Sequence, residues 1–202
     1  SHDDVVQLAK HADVPVINGL TDLSHPCQIM GDMLTIIEHK GKIDHMKIAY
    51  LGDGNNVCNS WLEAAIRIPL DLRIGTRKET MPDARLLEEA QKAGRSKITV
   101  TEEEKEAVRN ADVIYTDVWA SMGQKDKTEK QAELLKDYQI NSHLLSGAEH
   151  NCIVMHCLPA ERGREITDDV IDGPRSVVFD EAENRLHIQK AIMVKLAQSM
   201  KL

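Results

Sequence analysis

A histidine and a glutamine lie three residues apart where a helix is predicted to begin, in residues 25–28 (HPCQ). Pro26 suits the first helical position, and residues three apart share one face of a helix. The His25 imidazole and the Gln28 amide could therefore bind a carbonyl group at the positive end of that helix. A histidine that only caps the helix is the alternative that these residues leave open.

Residues 52–56 (GDGNN) follow a strand predicted at residues 47–51. They resemble a dinucleotide-binding loop only superficially, because the third glycine and the acidic partner after the next strand are lacking. Free N–H groups at the start of the following helix could bind a carboxylate together with Asn56. Equally, Asn55 and Asn56 could serve only to turn and cap the chain.

Three further reactive side chains come after predicted strands or close to them. Asp117 follows residues 113–116, Cys157 follows residues 152–155, and Arg185 comes after residues 176–179, which are predicted as the last strand. Asp117 could simply end its strand, and Cys157 could be a buried structural thiol. A thiol–imidazole couple with His156 is disfavoured, because adjacent residues at a strand end point apart.

The elements that must position these side chains alternate between short β-rich runs and helical patterns from residue 46 onwards. This alternation predicts an α/β fold, a doubly wound parallel sheet with helices on both faces. Ligands bind beyond the carboxyl ends of the strands in such sheets, so the side chains should converge at one edge. Residues 25–40 predict one long amphipathic helix, which we interpret as a linker from an absent amino-terminal domain.

The composition excludes several classes of protein. A formal net charge of −8 argues against nucleic-acid binding, and the longest apolar runs are too short to span a membrane. The four cysteines show no paired zinc spacing and are expected to be reduced thiols. The first ten residues lack the pattern of a signal peptide, so we expect a cytoplasmic protein or the mature part of an organellar one.

Taken together, the motifs resemble the aspartate/ornithine carbamoyltransferase family. The residues that carry the resemblance are 25–28 (HPCQ), 53–56 (DGNN), 117–123 (DVWASMG), 156–159 (HCLP) and 181–185 (EAENR), in the family's order. The SMG and HCLP elements are similar to the ornithine branch. The match covers nearly the whole chain, and five ordered motifs rarely arise by chance.

The resemblance implies transfer of a carbamoyl group from carbamoyl phosphate to the side-chain amine of L-ornithine, giving L-citrulline and phosphate, without a metal or organic cofactor. His25 and Gln28 are then expected to hold the carbamoyl group, with Cys157, Arg185 and the Leu158 carbonyl around the reacting centre. A further group should hold the backbone end of the amino acid, namely Asn56, Asp117, Ser121 and Met122.

The family's phosphate-binding Ser-x-Arg-Thr-Arg motif does not occur in the 202 residues. We therefore expect that the carbamoyl-phosphate domain is missing and that this chain alone has negligible activity. The expected units are a remnant of the first domain with the linker helix (1–45), an ornithine-binding α/β domain (46–180) and a carboxy-terminal helix (181–202). A homotrimer is expected for the parent enzyme. A related amine acceptor, such as an acetylated ornithine, and a non-catalytic amino-acid-binding module remain alternatives.

Overall fold

Five parallel strands form the central sheet of this chain. The structure is a computed structural model that describes residues 1–119 and 125–200. The sheet order is β3-β2-β1-β4-β5, with every neighbouring pair parallel. The strands are β1 Lys47–Leu51, β2 Asp71–Gly75, β3 Lys97–Thr101, β4 Val113–Thr116 and β5 Ile153–His156. The predicted doubly wound α/β fold is therefore confirmed.

Helices connect the strands and cover both faces of the sheet. They are α1 His2–His11, α2 Pro26–Lys40, α3 Asn56–Ala65, α4 Ala84–Ala93, α5 Glu104–Val108, α6 Lys125–Leu135, α7 Ser142–Leu145, α8 Asp168–Ile171 and α9 Val178–Ser199. Short 3₁₀ helices span Lys78–Thr80 and Lys136–Tyr138. The described helices include none that is both long enough and apolar enough to cross a membrane.

The core lies in two layers, one on each face of the sheet. Because successive strand residues point to opposite faces, Ile48 and Tyr50 of β1 pack on one side with Trp61 of α3. Ala49 and Leu51 of the same strand pack on the other side with the α5, α7 and α8 helices. Helices α2 and α9 run against each other at the first face and reach the edge where the strands end.

The long amphipathic helix predicted at residues 25–40 is confirmed as α2. His25 is its N-cap residue, Pro26 is its first residue, and Gly41 ends it with a positive φ of 75° that glycine adopts without steric cost. The His25 side chain forms no capping hydrogen bond with the helix. The alternative in which this histidine only caps the helix is therefore not what the structure shows.

The prediction that residues 176–179 form the last strand is wrong. Ser176 forms only an isolated bridge to Val154, and the chain enters α9 at Val178. The β-branched run predicted a strand, but the hydrogen bonds beside β5 stop after Val177, whose N–H donates to the Val154 carbonyl at 3.0 Å. Arg185 lies in the predicted carboxy-terminal helix, which begins at Val178, before the predicted start at residue 181.

Candidate functional site

Asp117 lies at the carboxyl end of β4 and is nearly buried, with 8% of its surface exposed. Its carboxylate accepts three hydrogen bonds. The Asn55 amide donates at 2.7 Å, the Val118 backbone N–H at 2.7 Å and the Cys157 thiol at 2.9 Å. Residues from the ends of β1, β4 and β5 are thus gathered around one carboxylate, as the parallel sheet predicted.

Asn55 and Asn56 have different contacts. The Asn55 side-chain oxygen accepts from the Val57 and Cys58 backbone N–H groups, at 2.9 and 3.2 Å, and so caps α3 while its amide nitrogen contacts Asp117. The Asn56 amide donates to the Thr21 carbonyl at 2.7 Å, which ties the first turn of α3 to the segment before α2. Asn55 is therefore the residue that caps α3. Its contact with Asp117 was not predicted from the sequence.

The glycines of the 52–56 loop are required by close packing. A Cβ atom on Gly54 would lie 2.3 Å from the Pro82 nitrogen and 2.5 Å from the Thr80 carbonyl oxygen. Gly52 has a φ of +118°, and a Cβ there would lie 2.5 Å from the Trp119 indole nitrogen. The loop is therefore pressed against neighbouring backbone and an indole ring, which accounts for the glycines without a dinucleotide.

Cys157 is a protonated donor in this structure. Burial raises the pKa of its thiol well above 9, and the neighbouring Asp117 carboxylate raises it further. The thiol hydrogen is directed at Asp117 Oδ1. A thiolate nucleophile is therefore disfavoured at neutral pH, and the side chain instead holds the Asp117 carboxylate in place.

His156 and Glu165 support the loop after β5, and both are almost completely buried. The His156 Nδ1 atom accepts from the Leu158 backbone N–H at 2.9 Å, so its proton is assigned to Nε2, which donates to Glu165 Oε1 at 3.1 Å. Leu158 has a φ of +53°, a strained value for leucine. Such strain persists only when the surroundings enforce it, and it is common at functional sites.

Asp117, His156 and Cys157 also bring their donor atoms within 4.8 Å of one another, a spacing that a metal ion could use. The hydrogen bonds argue against that use in this arrangement. Both His156 nitrogens are occupied, and the Cys157 thiol carries its proton. A metal ligand set needs a thiolate and a free imidazole lone pair.

A second group of polar side chains joins α2 to α9. The Arg185 guanidinium donates from Nη1 to the Gln28 amide oxygen and lies 3.2 Å from His25 Nε2. Among the described residues, Arg185 Nε has no hydrogen-bond partner although it is buried. The structure therefore brings His25, Gln28 and Arg185 together and encloses one guanidinium N–H without an acceptor among the described residues.

His25 connects this group electrostatically to Asp117. Burial lowers the pKa of the His25 imidazole to about 4, Arg185 lowers it further, and Asp117 acts in the opposite direction. The ring is consequently neutral at pH 7, with Nε2 facing the guanidinium as an acceptor. Both Arg185 and Asp117 change the pKa of His25, so the residues around Asp117 and those around Arg185 share one electrostatic environment.

The sequence analysis gave no site role to Asp32, Tyr115 and Glu181, which form a buried polar layer beneath Gln28. One signal was available, since Asp32 falls on the apolar face of α2, between Ile29 and Ile36. Two predicted site residues, Ser121 and Met122, lie outside the described residues.

Comparison with known proteins gives matches along almost the whole chain. Residues 44–196 match the family model described as aspartate/ornithine carbamoyltransferase, Asp/Orn binding domain. Residues 1–38 match the model described as aspartate/ornithine carbamoyltransferase, carbamoyl-P binding domain. The expectation that the carbamoyl-phosphate domain is missing is therefore not borne out, because a segment of the chain matches it.

Relatives with curated names show the same resemblance. An ornithine carbamoyltransferase of Syntrophus aciditrophicus is 54% identical over 193 residues, which cover 96% of this chain and 64% of that protein. A chloroplastic ornithine carbamoyltransferase of Pisum sativum is 52% identical, with coverages of 96% and 52%. The chain thus spans less than two thirds of the length of these relatives.

A solved structure of ornithine carbamoyltransferase from Pyrococcus furiosus superposes with a TM-score of 0.90 at 48% identity, covering 96% of this chain and 63% of that one. The anabolic ornithine carbamoyltransferase from Campylobacter jejuni gives a TM-score of 0.93 at 34% identity, with coverages of 98% and 67%. The likeness therefore extends from sequence to the arrangement of the strands and helices.

Proposed function

Because this chain belongs to the aspartate/ornithine carbamoyltransferase family, we propose that it carries the ornithine site of a carbamoyl-transfer reaction. In that reaction the side-chain amine of L-ornithine takes the carbamoyl group of carbamoyl phosphate, and L-citrulline and phosphate are released. The observation that carries the proposal is the Asp117 carboxylate, recessed at the sheet edge and held by three donors. It offers a fixed negative charge to the α-ammonium group of an amino acid.

The other end of the amino acid requires a positive environment. Asn56 is the first residue of α3, and the helix dipole favours an anion at this end, where Asn55 already caps the Val57 and Cys58 N–H groups. We assign the α-carboxylate of ornithine to this end of α3. Asp117 then binds the ammonium group and Asn56 the carboxylate group of the zwitterion, each from a position after one of two neighbouring strands.

The second group of residues suits the carbamoyl carbon. When the amine attacks that carbon, negative charge develops on its oxygen, and a preorganised donor stabilises it by about 2–4 kcal/mol. Arg185 supplies the donor, and Gln28 and the neutral His25 ring hold the guanidinium from one side. The new N–C bond replaces the C–O bond to phosphate, and the leaving phosphate keeps the electron pair of that bond and takes up the proton that the amine loses.

Leu158 and Cys157 are assigned to the attacking amine. The positive φ of Leu158 turns its backbone away from the strand direction, and we propose that its carbonyl accepts a hydrogen bond from the amine. Cys157 contributes by holding Asp117 at 2.9 Å. Both residues follow β5, and the buried His156–Glu165 pair supports the loop.

We propose residues 46–180 as the ornithine-binding unit, with residues 1–45 and 181–202 as flanking segments that contribute the α2 and α9 residues to the site. A cytoplasmic setting and a homotrimeric assembly are proposed on the family resemblance alone. Light scattering tests the assembly directly. A mass of one or two chains at micromolar concentration would reject the trimer for this chain.

The substrate is tested by calorimetric titration with L-ornithine, N-acetylornithine and putrescine, with and without carbamoyl phosphate. We expect ornithine to bind most tightly, because putrescine lacks the α-carboxylate and the acetylated amine cannot pair with Asp117. Citrulline formation is measured in parallel. Binding of ornithine without turnover would support the amino-acid-binding alternative, and equal binding of all three amines would contradict the assigned contacts.

A further inference from the structure

Two carboxyl groups lie together beneath the site, between α2 and α9. Asp32 of α2 and Glu181 of α9 have no exposed surface. The Tyr115 hydroxyl of β4 lies 2.8 Å from Asp32 Oδ2 and 3.2 Å from Glu181 Oε1. A single tyrosine hydrogen therefore faces both acids.

The remaining oxygens of the pair are also occupied. Gln28 Nε2 donates to Asp32 Oδ1 at 2.7 Å and lies 3.4 Å from Glu181 Oε1. The His156 backbone N–H donates to Glu181 Oε2 at 2.9 Å. Within the described ranges 1–119 and 125–200, neither acid forms an ion pair with a lysine or arginine. Two buried carboxyl groups that share the Tyr115 hydroxyl and the Gln28 amide, with no ion-paired cation, cannot both be ionised, so the pair must retain a proton.

The orientation of the Gln28 amide follows from this arrangement. Its NH₂ group faces the two acids, so its oxygen faces Arg185 Nη1, which donates to it. A flipped amide would direct its oxygen at carboxyl oxygens and its NH₂ group at a guanidinium. Both contacts would be repulsive. The acids therefore determine which end of the amide meets Arg185.

We propose that Asp32 and Glu181 are positioning residues that, as a proton-sharing pair, orient the Gln28 amide and thereby hold Arg185 against it. The geometry stands without the proposed function. Only the consequence for carbamoyl transfer rests on it. The sharing of a proton also keeps the layer beneath the guanidinium close to a single negative charge.

The other groups that face the pair do not titrate with it near neutral pH. Burial raises the pKa of Asp32 to about 7 and that of Glu181 well above its usual range. Burial also raises the pKa of Tyr115 well above 10 and that of Cys157 well above 9, so both stay protonated. The Arg185 guanidinium acts on Asp32 at longer range and lowers the pKa of that carboxyl, against the larger effect of burial.

The first test is infrared spectroscopy of the 202-residue chain at pH 8, where exposed carboxyl groups are ionised. We expect the C=O band of a protonated carboxyl in the native chain and in the control Glu183→Gln, which alters an exposed acid of the same helix. The band should disappear in Glu181→Gln, because Asp32 is then a single acid surrounded by donors. Its absence from the native chain, or its persistence in Glu181→Gln, would overturn the proposal.

The second test measures positioning through hydrogen exchange of the Gln28 side-chain NH₂ group by NMR. Asp32→Asn should accelerate this exchange about 10-fold, because it removes the shortest charge-assisted contact of that group. Glu183→Gln should leave it unchanged. Unchanged exchange in a folded Asp32→Asn chain would reject the positioning role. Neither test uses substrate or turnover, so failure here is distinct from failure of the proposed function.

Discussion

At the scale of single residues, the site depends on groups whose protonation is set by burial. His25 is the clearest case, because its imidazole sits between Arg185 and Asp117 and remains neutral at pH 7. A neutral ring can accept from the guanidinium at Nε2, whereas an imidazolium would repel it. The same principle keeps Cys157 protonated as a donor to Asp117.

His25 gives a dependence of stability on pH. Its pKa in the folded state is about 4, below the usual 6.5, so the unfolded chain binds more protons between those values. Stability from this residue is therefore present above pH 6.5 and is lost as the pH falls towards 4. The linkage relation gives about 2 kcal/mol after allowance for screening at the half-buried ring.

The measurement is urea denaturation at pH 7 and pH 5 for the native chain and for His25→Gln. The difference between the two proteins isolates His25 from Asp53, whose pKa burial raises to about 6 and whose contribution has the opposite sign. We expect the native chain to lose more stability than the variant on acidification. Equal losses would show that the ring is not held neutral.

Cys157 should react slowly with alkylating reagents, although part of its side chain is exposed. Its raised pKa leaves little thiolate at pH 7.5, so reaction with iodoacetamide is expected to be at least about 10-fold slower than that of a free thiol. Asp117→Asn removes one cause of the raised pKa and should accelerate the reaction. Mass spectrometry identifies which cysteine is modified. Cys27, Cys58 and Cys152 are buried and are expected to react more slowly still. Rapid alkylation of the native chain would contradict the assigned protonation.

At the scale of elements, the 52–56 loop is the most tightly constrained connection at the site. Gly54→Ala should destabilise the chain by about 2 kcal/mol or more, because the added methyl group would lie 2.3 Å from the Pro82 nitrogen. Gly19→Ala is the matched control, since a Cβ there meets no atom within 4 Å. Urea denaturation compares the two variants, and similar values for both would show that the loop can relax.

The elements were largely predictable from the sequence, whereas some of their contacts were not. Alternating strands and helices predicted the parallel sheet, and Pro26 predicted the start of α2. Residues 176–179 were assigned to a strand because their β-branched run carries no sign of where pairing stops. Tertiary contact beside β5 decides that point, and local propensity does not.

In the candidate site, too, some contacts were predictable from the sequence and others were not. The sheet rule predicted that Asp117 and Cys157 would meet, and they do. It did not reveal that Asn55, and not Asn56, contacts Asp117, because neighbours at a helix start differ only in the direction of their side chains. The pairing of Asp32 with Glu181 was not predicted, because the two are 149 positions apart in the printed sequence and meet only through the packing of α2 on α9.

At the scale of the whole molecule, the sheet edge and the α2–α9 pair act together. The sheet delivers Asp117, Cys157 and Leu158 from strand ends, and the helices deliver His25, Gln28 and Arg185 from the side. Residues 1–38 and 44–196 match the models of two different family domains, so the site draws on residues from both matched segments. The proposed carbamoyl transfer therefore depends on residues of both segments.

The central claim is that the Asp117 carboxylate binds the α-ammonium group of ornithine. Calorimetric titration with L-ornithine tests it in the native chain, in Asp117→Asn and in the control Asp13→Asn, which alters an exposed acid before α2. We expect about 30-fold weaker binding in Asp117→Asn, the cost of losing one charge-assisted contact, and native affinity in the control. Equal affinity in all three proteins would contradict the assigned site.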